Sequence, residues 1–277
     1  MRRLGILLAA GVGFFIGCTT PPKSREVAPV PPPVEIPVAM DTSAVRGLVE
    51  KPSSIILDHK YFRIAYDPKT RLPKYVIYRL KGSDLKKPRV VKRSSKFRVD
   101  PILKKRGLET IKHEDYTETD IYDRGHMAPF ADFSHDAIQG KLTFITSNAA
   151  PQKKNLNEHA WESLEGHIRE WACGEGELVV ITGSIIENNL PKMKKSGILI
   201  PREFFKIVID DTPPRKVIAF LYKQDDDKTV KYIDRIAKAA EIQKRIGEDF
   251  SVELPVQDRL ELEKVARLGD WKSKKCR

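Results

Sequence analysis

Cysteine and long apolar runs are scarce in this sequence. Its three cysteines, Cys18, Cys173 and Cys276, lie far apart in 277 residues, and three cysteines at such spacings do not make a zinc site. The apolar run at residues 4–16 is too short to span a bilayer. Internal repeats are also absent. A structural zinc module and a repeat array are therefore excluded.

Lys and Arg outnumber Asp and Glu, which makes the chain strongly basic. There are 38 Asp and Glu against 50 Lys and Arg, a net charge of +12. This balance fits a polyanionic partner such as nucleic acid or an anionic membrane, although charge alone leaves simple solubility equally open. About 230 residues follow the first forty or so, enough for one α/β domain, or two small ones, at roughly 100–200 residues each.

The N-terminus is typical of an export signal. Arg2 and Arg3 precede the apolar run, which has the length of a signal-peptide core. The run ends in "FFIGC", which resembles the bacterial lipobox and implies cleavage before Cys18 and acylation of that cysteine. Phe15 stands where leucine is usual. We therefore expect a signal peptide at residues 1–17 of an exported protein of the cell envelope, periplasm or extracellular space. An ordinary secretory signal and an uncleaved anchor are the alternatives.

A proline-rich segment follows Cys18. Seven prolines lie between Pro21 and Pro37, a density that excludes helix and central strand and favours an extended chain. We interpret residues 18–45 as a tether that holds the domain at residues 46–277 off a membrane surface; a spacer with no geometric role is the alternative. In an oxidising compartment Cys173 and Cys276 can form a disulfide, and two free thiols remain equally open.

The remaining chain alternates between strand and helix patterns. An antiparallel hairpin is expected at residues 60–80, a long basic loop after it, and an amphipathic helix from Asn155 to about Cys173. We further expect a buried strand within residues 140–151, a central strand in "ELVVITGSII" closed by Gly183, two strands within 196–224, and a helix over 230–250. This order predicts an α+β fold, a central antiparallel sheet flanked by helices.

The stretch "IYDRGHMAPFADF" contains the most unusual histidine. His126 precedes apolar residues, and partial desolvation favours its neutral, basic form. Asp123 is close enough to orient the ring if the backbone turns at Gly125, and Arg124 supplies a cation suited to phosphate. The alternative is a turn in which Asp123 pairs with a neighbouring cation and His126 simply packs.

A second group of polar residues lies on the predicted helix. In a regular α-helix, Glu165 lies roughly 80° around from Asn157 and about 12 Å along the axis, so both can face one cleft. An amide oxygen is a hard ligand suited to Mg²⁺, which keeps several waters. Without the histidine motif, the pattern favours a helix N-cap for Asn157 and a solvated surface charge for Glu165.

Together, "DRGHMAP" and "FITSNAAPQKKNLNEHAWESLE" resemble the DNA/RNA non-specific endonuclease family. That family includes mitochondrial endonuclease G and secreted bacterial sugar-nonspecific nucleases. The resemblance covers roughly residues 55–255. It implies a ββα-metal core with the histidine motif on a strand and the ligand asparagine on the following helix. It also implies a metal-dependent enzyme that hydrolyses phosphodiester bonds.

The resemblance assigns roles by position. His126 would be the general base, Asn157 the one direct protein ligand of Mg²⁺, with Mn²⁺ as a possible substitute, and Glu165 a holder of metal-bound water. Asp123 would position the motif and Arg124 would stabilise charge on the phosphorane.

Two supporting positions are implied as well. Asn148 matches a polar position that supports the site. The family also uses an upstream arginine, for which the sequence leaves Arg93 and Arg98 open.

The substrates implied are DNA and RNA without sequence preference. The basic segments 81–96 and 192–195 are candidates for tracking the phosphate backbone, and solvated loops are the alternative. Two other functions stay open: a surface lipoprotein that binds DNA without catalysis, and a phosphodiesterase for small esters. A binding module needs none of His126, Asn157 and Glu165.

Overall fold

The computed structural model describes residues 54–117, 119–250 and 256–276. The expected signal peptide, Cys18 and the proline-rich tether lie outside the described residues. Within those ranges, no helix is both long enough and apolar enough to cross a membrane.

The core of the fold is an antiparallel sheet of seven strands in the order β1-β2-β3-β6-β7-β8-β9. The predicted hairpin is confirmed as β2 and β3, and "ELVVITGS" forms β6 near the sheet centre. Gly183 does not end this strand but pairs with Phe205 within it. The bounds are β1 (Ile55–Asp58), β2 (Arg63–Asp67), β3 (Leu72–Lys81), β6 (Glu177–Ser184), β7 (Glu203–Asp210), β8 (Lys216–Lys223) and β9 (Ile236–Ala237).

A separate two-stranded sheet and the helix after it carry the predicted motifs. Strand β4 (Tyr122–His126) pairs antiparallel with β5 (Ala149–Lys153), so that His126 lies opposite Ala149. A π-turn (Leu156–Trp161) and α5 (Glu162–Glu175) follow directly. The expected strand–strand–helix unit is present, and the α+β fold class is confirmed.

Short helices complete the described part of the chain. Five are α-helical: α1 (Gly82–Leu85), α2 (Pro101–Lys105), α3 (Phe130–Phe133), α4 (Ala137–Leu142) and α6 (Ala239–Ile246). Five are 3₁₀ turns: Glu114–Tyr116, Thr146–Asn148, Tyr232–Arg235, Val256–Glu263 and Leu268–Asp270.

Both faces of the large sheet are covered. On one face, Trp161, Leu164 and Ile168 of the helix belong to one buried cluster with strand side chains such as Phe204. On the other face, α6 contributes Ile242 to a second cluster. A strand that is buried on both faces has apolar residues at successive positions instead of alternating ones. This explains the continuous apolar sequence of β6. The packing fixes α5, and with it the helical part of the site.

Two predicted elements are wrong in part. Residues 140–151 do not form one strand, because Asp136 caps α4 through the amides of Ile138 and Gln139 and β5 starts only at Ala149. The helix predicted over 230–250 is confined to α6. Upstream of it, Arg235 is bound to Asp226 and β9 pairs with β8, so tertiary contacts override the helical pattern there.

The C-terminal tail runs back along α5 and is bonded to it. The Cys173–Cys276 disulfide, left open by the sequence, is present. The ring of Trp271 lies 5.4 Å from that of Trp171. A Cβ on Gly174 would lie 2.0 Å from the carbonyl oxygen of Lys272, so only glycine permits this close approach. The tail is thereby held against the helix that carries the predicted site.

Candidate active site

Strand β4 divides the histidine motif between its two faces. Successive side chains of a strand point in opposite directions, so Arg124 and His126 share one face and Asp123 lies on the other. The ring centroids of Phe97 and Phe144 lie 4.8 and 5.0 Å from that of His126. The guanidinium carbon of Arg124 lies 5.6 Å from the centre of the Phe97 ring. Aromatic packing, rather than a carboxylate, therefore fixes the orientation of the imidazole.

The expectation that Asp123 orients the His126 ring is wrong, because the backbone does not turn at Gly125. Gly125 continues the strand, and a Cβ there would lie 2.6 Å from the Cβ of Gln152. The glycine is required by this close packing. Asp123 instead accepts a hydrogen bond of 2.9 Å from the Nδ2 of Asn157. It positions the second half of the motif rather than the first.

The π-turn makes the angle around the helix axis between the side chains of Asn157 and Glu165 smaller than it would be in a regular α-helix. An i→i+5 turn holds one residue more than an α-turn, so their spacing of eight residues acts as seven α-helical steps. Seven steps of about 100° end within roughly 20° of the starting direction, instead of the 80° expected. The N-cap alternative for Asn157 does not hold, since Asn155 precedes the turn and Asn157 lies inside it.

One cavity of about 350 Å³ joins the two halves of the motif. The imidazole of His126 and the amide of Asn157, thirty-one positions apart in the sequence, both line it. Asp123, Arg124 and Asn148 are not among its lining residues. The polar and charged side chains that line it include Arg89, Arg93, His126, Asn157, Glu165 and Arg169.

His126 is suited to act as a base. It is 5% exposed, and burial lowers the pKa of its imidazole to about 3, with Arg93 and Arg124 acting in the same direction. Its Nε2 atom is buried and has no hydrogen-bond partner among the described residues. The residue lines the cavity, and its ring is in the neutral form that can accept a proton.

Glu165 lies in a buried network of charges that the sequence did not reveal. Its Oε1 is 3.7 Å from Nζ of Lys206, and its Oε2 is 4.0 Å from Arg169. Arg169 also bonds Asp132 at 3.1 Å. Burial raises the pKa of Glu165 to about 7, and the two cations oppose that rise. The signal available in the sequence was a lone lysine inside the apolar strand "EFFKIVID", where Lys206 is 1% exposed.

Asn148 holds backbone next to the site. Its Nδ2 donates to the carbonyl oxygens of Ala128 and Thr143, and its Oδ1 accepts from the amide of Ala128, each at 2.9 Å. Its carbonyl oxygen accepts from the amide of Met127. The side chain thus positions the residues that follow His126, which fits the supporting role expected from the sequence.

A buried carboxylate, which sequence reasoning missed, anchors the turn that contains Asn148. Asp100 accepts hydrogen bonds from Ser147, from His59 at 2.8 Å and from the amide of Ile102 at 2.7 Å. Burial opposes ionisation of Asp100, but the hydrogen bonds from His59 and Ser147 hold its pKa below the usual value.

The structure separates the two candidate upstream arginines. Arg93 lines the cavity, and its guanidinium carbon lies 5.9 Å from the centre of the Phe144 ring. Arg98 does not line the cavity. Its backbone forms hydrogen bonds with the backbone of Phe144 and Thr146. Arg89, from the same basic loop, also faces the cavity and was not singled out by the sequence.

Comparison with known proteins identifies the family. A family model described as DNA/RNA non-specific endonuclease matches residues 43–257. The chain belongs to that family. The family and enzyme class predicted from the sequence are therefore confirmed, and a nucleic-acid substrate is consistent with them.

The curated relatives are nucleases of diverse organisms. A nuclease of Nostoc sp. is 27% identical over 214 residues, 75% of this chain and 73% of the relative. The Serratia marcescens nuclease is 28% identical over 160 residues, 54% of this chain and 59% of the relative. Human mitochondrial endonuclease G is 28% identical over 159 residues, 53% of this chain and 51% of the relative. The match thus spans little more than half the length of the last two proteins.

A solved structure shares the fold of this endonuclease-family chain. The crystal structure of an EndoG/EndoGI complex aligns with a TM-score of 0.64 at 20% identity, covering 73% of this chain and 88% of the other. This likeness supports the fold.

Endonucleases of this family depend on a metal ion, and the cavity contains a suitable ligand. Because the carboxylate of Asp123 can only accept, the amide atom of Asn157 that faces it must be Nδ2, which leaves the hard Oδ1 available for a cation. In the described ranges, no group of three or more His, Cys, Asp or Glu side chains is placed to hold a metal. The donor set therefore fits a cation held by one amide oxygen and several waters.

The bond between Asp123 and Asn157 predicts a specific defect. Asp123→Ala frees the amide to rotate, and we expect the Mg²⁺ concentration for half-maximal cleavage to rise about 10- to 100-fold, the usual cost of losing a residue that orients a metal ligand. The measurement is a Mg²⁺ titration of the cleavage rate. Asp120→Ala, which removes an exposed carboxylate nearby, is the matched control. A Mg²⁺ curve unchanged in Asp123→Ala would contradict the assignment.

The lowered pKa of His126 predicts how stability depends on pH. An unfolded imidazole has a pKa near 6.5, so between that value and about 3 the unfolded chain binds one more proton than the folded chain. This contribution to the free energy of unfolding is complete above pH 6.5 and is lost as pH falls, by up to about 1.4 kcal/mol per pH unit.

Urea unfolding of the wild type and of His126→Phe at pH 7 and pH 4.5 checks this dependence. Phenylalanine suits a site already flanked by Phe97 and Phe144. The wild type should lose more stability on acidification than the variant. Equal losses would show that the folded histidine titrates normally.

Proposed function

We propose that the protein is an endonuclease that hydrolyses backbone phosphodiester bonds in both DNA and RNA, with His126 as general base and a Mg²⁺ ion held at Asn157. The observation that carries the proposal is the shared cavity, where an unpartnered neutral imidazole and an oriented amide oxygen face the same space. Mn²⁺ has the same preference for oxygen and is expected to substitute.

The residues divide the reaction between them. A water beside His126 gives its proton to Nε2 as its oxygen attacks the phosphorus in line with the 3′-oxygen. The bond from phosphorus to the 3′-oxygen breaks, and the leaving oxygen takes a proton from solvent water to become a 3′-hydroxyl. The other product carries the 5′-phosphate. Glu165, held between Lys206 and Arg169, accepts hydrogen bonds from water on the Asn157 side of the cavity. When bound, Mg²⁺ supplies Lewis-acid neutralisation of charge on the phosphate.

Arginines supply the remaining electrostatic stabilisation. Arg93 lines the catalytic cavity, where fixed positive charge favours the charge that builds on the phosphorane. Arg89 stands where this cavity meets a neighbouring one. Arg124 lies on the same face of β4 as His126, and its charge contributes to the low pKa of the His126 imidazole. Its predicted contact with the phosphorane stays a prediction.

Lack of sequence preference follows from the type of contact. In this mechanism the groups contact the phosphate, the metal ion and water, none of which carries base identity. The basic loop at residues 81–96 supplies Arg89 and Arg93, which supports its role in tracking the substrate backbone. The lysines of segment 192–195 are exposed as well, as a role in binding the backbone requires. Binding should weaken steeply with added salt, because such contacts release counterions.

Export and a membrane tether are part of the proposal. The Cys173–Cys276 disulfide supports an oxidising compartment, and Cys18 is then the one cysteine left for a lipid. A nuclease without sequence preference would also damage the genome of its own cell if it remained in the cytosol. Membrane fractionation of the wild type and of Cys18→Ala tests the tether: the wild type should sediment with membranes and the variant should not.

A plasmid-nicking assay tests the proposed activity. The purified domain should degrade plasmid DNA and RNA with Mg²⁺ and neither with EDTA. Binding without cleavage would favour the silent DNA-binding lipoprotein. Cleavage of a small phosphodiester but not of polymeric DNA would favour the small-substrate phosphodiesterase.

A further inference from the structure

A second cavity continues from the catalytic one along α5. Its volume is about 400 Å³, and it shares Arg89, Ala131 and Arg169 with the catalytic cavity. The two cavities are therefore adjacent, and together they are called the extended groove. The far end of this groove is lined by Lys275 and Cys276 of the C-terminal tail, which lies outside the part of the chain that carries the catalytic motifs.

The position of Lys275 depends on how the tail is bonded to α5. The amide of Lys274 donates to the carbonyl oxygen of Glu170 at 3.1 Å, and the hydroxyl of Ser273 donates to the Glu170 carboxylate at 3.0 Å. One residue beyond Lys275, Cys276 is bonded covalently to Cys173. Lys275 is thus fixed between a hydrogen-bonded segment and a disulfide, with its side chain exposed at the groove.

The charges of the extended groove suit an anion. In the second cavity the cations are Arg89, Arg169 and Lys275, and Glu170 is the one anionic lining residue. Arg169 is also paired with Asp132 and Glu165, so Arg89 and Lys275 supply most of the positive charge open to a ligand there. The Glu170 carboxylate is already engaged with Ser273 and lies 3.8 Å from Nδ1 of His167. The phosphates of a polynucleotide are evenly spaced along its strand. When one phosphate is bound at His126, a neighbouring phosphate can therefore lie in the adjacent second cavity.

We propose that Arg89, Arg169 and Lys275 bind a backbone phosphate of the substrate strand next to the scissile one, and that the Cys173–Cys276 disulfide holds Lys275 in place. This subsite rests on the proposed function, since its ligand is the substrate of that reaction. It assigns the disulfide a second role beyond stability. Reducing the bond releases the end of the tail and removes one phosphate contact without changing the catalytic residues.

Steady-state kinetics on single-stranded DNA, with Lys275→Ala and Lys274→Ala compared, tests the subsite. Lys275→Ala should raise KM about three- to tenfold with little change in kcat, the effect of losing one partly exposed cation–phosphate contact. Lys274→Ala removes the same charge from the adjacent exposed position, which does not line the groove, and should leave KM unchanged. Lys275→Arg should restore the wild-type KM.

Measuring KM with and without a reductant tests whether the disulfide positions Lys275, separately from whether the charge of Lys275 matters. A reductant should raise the KM of the wild type by a similar factor and leave the KM of Lys275→Ala where it was. Equal KM values for wild type and Lys275→Ala, or equal effects of Lys274→Ala and Lys275→Ala, would overturn the subsite. An additional rise on reduction of Lys275→Ala would overturn the role of the disulfide.

A binding measurement tests the phosphate subsite at Lys275 independently of the proposed nuclease activity. In EDTA, the slope of log Kd against log salt for a single strand should be shallower for Lys275→Ala by about 0.7, the value for one phosphate contact. This result does not depend on catalysis. A wild type that fails to cleave with Mg²⁺ but shows the slope difference would refute the nuclease mechanism and keep the subsite.

Discussion

His126→Ala lowers kcat for DNA cleavage about 10²- to 10⁴-fold, the range that a positioned general base contributes. The reason is local, because His126 lines the cavity, its Nε2 has no hydrogen-bond partner among the described residues, and burial keeps the imidazole neutral at working pH. The variant loses the proton acceptor but keeps the arginines and Asn157. Its Kd for DNA should therefore change little.

Two measurements check the base assignment. Single-turnover cleavage at saturating Mg²⁺ gives the loss in rate, and fluorescence anisotropy in EDTA gives Kd for the same oligonucleotide. His159→Ala is the matched control, since His159 is exposed and its Nδ1 lies 3.1 Å from the carbonyl oxygen of Asn155, away from the His126 ring. Activity of His126→Ala within tenfold of the wild type would refute the assignment.

Asn157→Ala should weaken Mg²⁺ binding more than any change outside the cavity. Loss of a residue that merely orients a ligand costs about 10- to 100-fold in metal affinity, so loss of the ligand itself should cost about a hundredfold or more. At low Mg²⁺ we expect almost no cleavage, with partial recovery as the concentration rises, because waters can fill the vacated position. His126→Ala, in contrast, should not recover at any Mg²⁺ concentration.

The control for Asn157→Ala is Asn155→Ala, two residues earlier and exposed. Isothermal titration of Mg²⁺ into each variant measures affinity directly, and the cleavage rate against Mg²⁺ gives the functional curve. An Mg²⁺ affinity in Asn157→Ala equal to that of the wild type would show that the cation binds elsewhere.

The sequence predicted the residues of the site better than their arrangement. His126, Asn157 and Glu165 were assigned from local motifs, and the cavity brings them together. The roughly 80° offset between Asn157 and Glu165 was wrong, because a single additional residue in a turn leaves the apolar pattern of the helix unchanged. Asp123 was expected beside His126, but strand alternation turns it towards Asn157.

Residues that arrive from distant parts of the chain were harder to predict. Lys206 lies on β7, Arg89 on a loop and Lys275 on the tail, and each reaches the site through tertiary packing. The misassigned strand at residues 140–151 has the same origin. Buried contacts of Asn148 and Ser147, rather than the local apolar pattern, determine the backbone there.

A crystal structure of His126→Ala with Mg²⁺ and a short oligonucleotide is the most direct measurement of the central claim, that residues 126 and 157 serve one ion and one phosphate. The account predicts electron density for an ion bonded to Oδ1 of Asn157, with the scissile phosphate between that ion and the space left by the imidazole. An ion bound away from Asn157, or a phosphate that does not approach position 126, would contradict it.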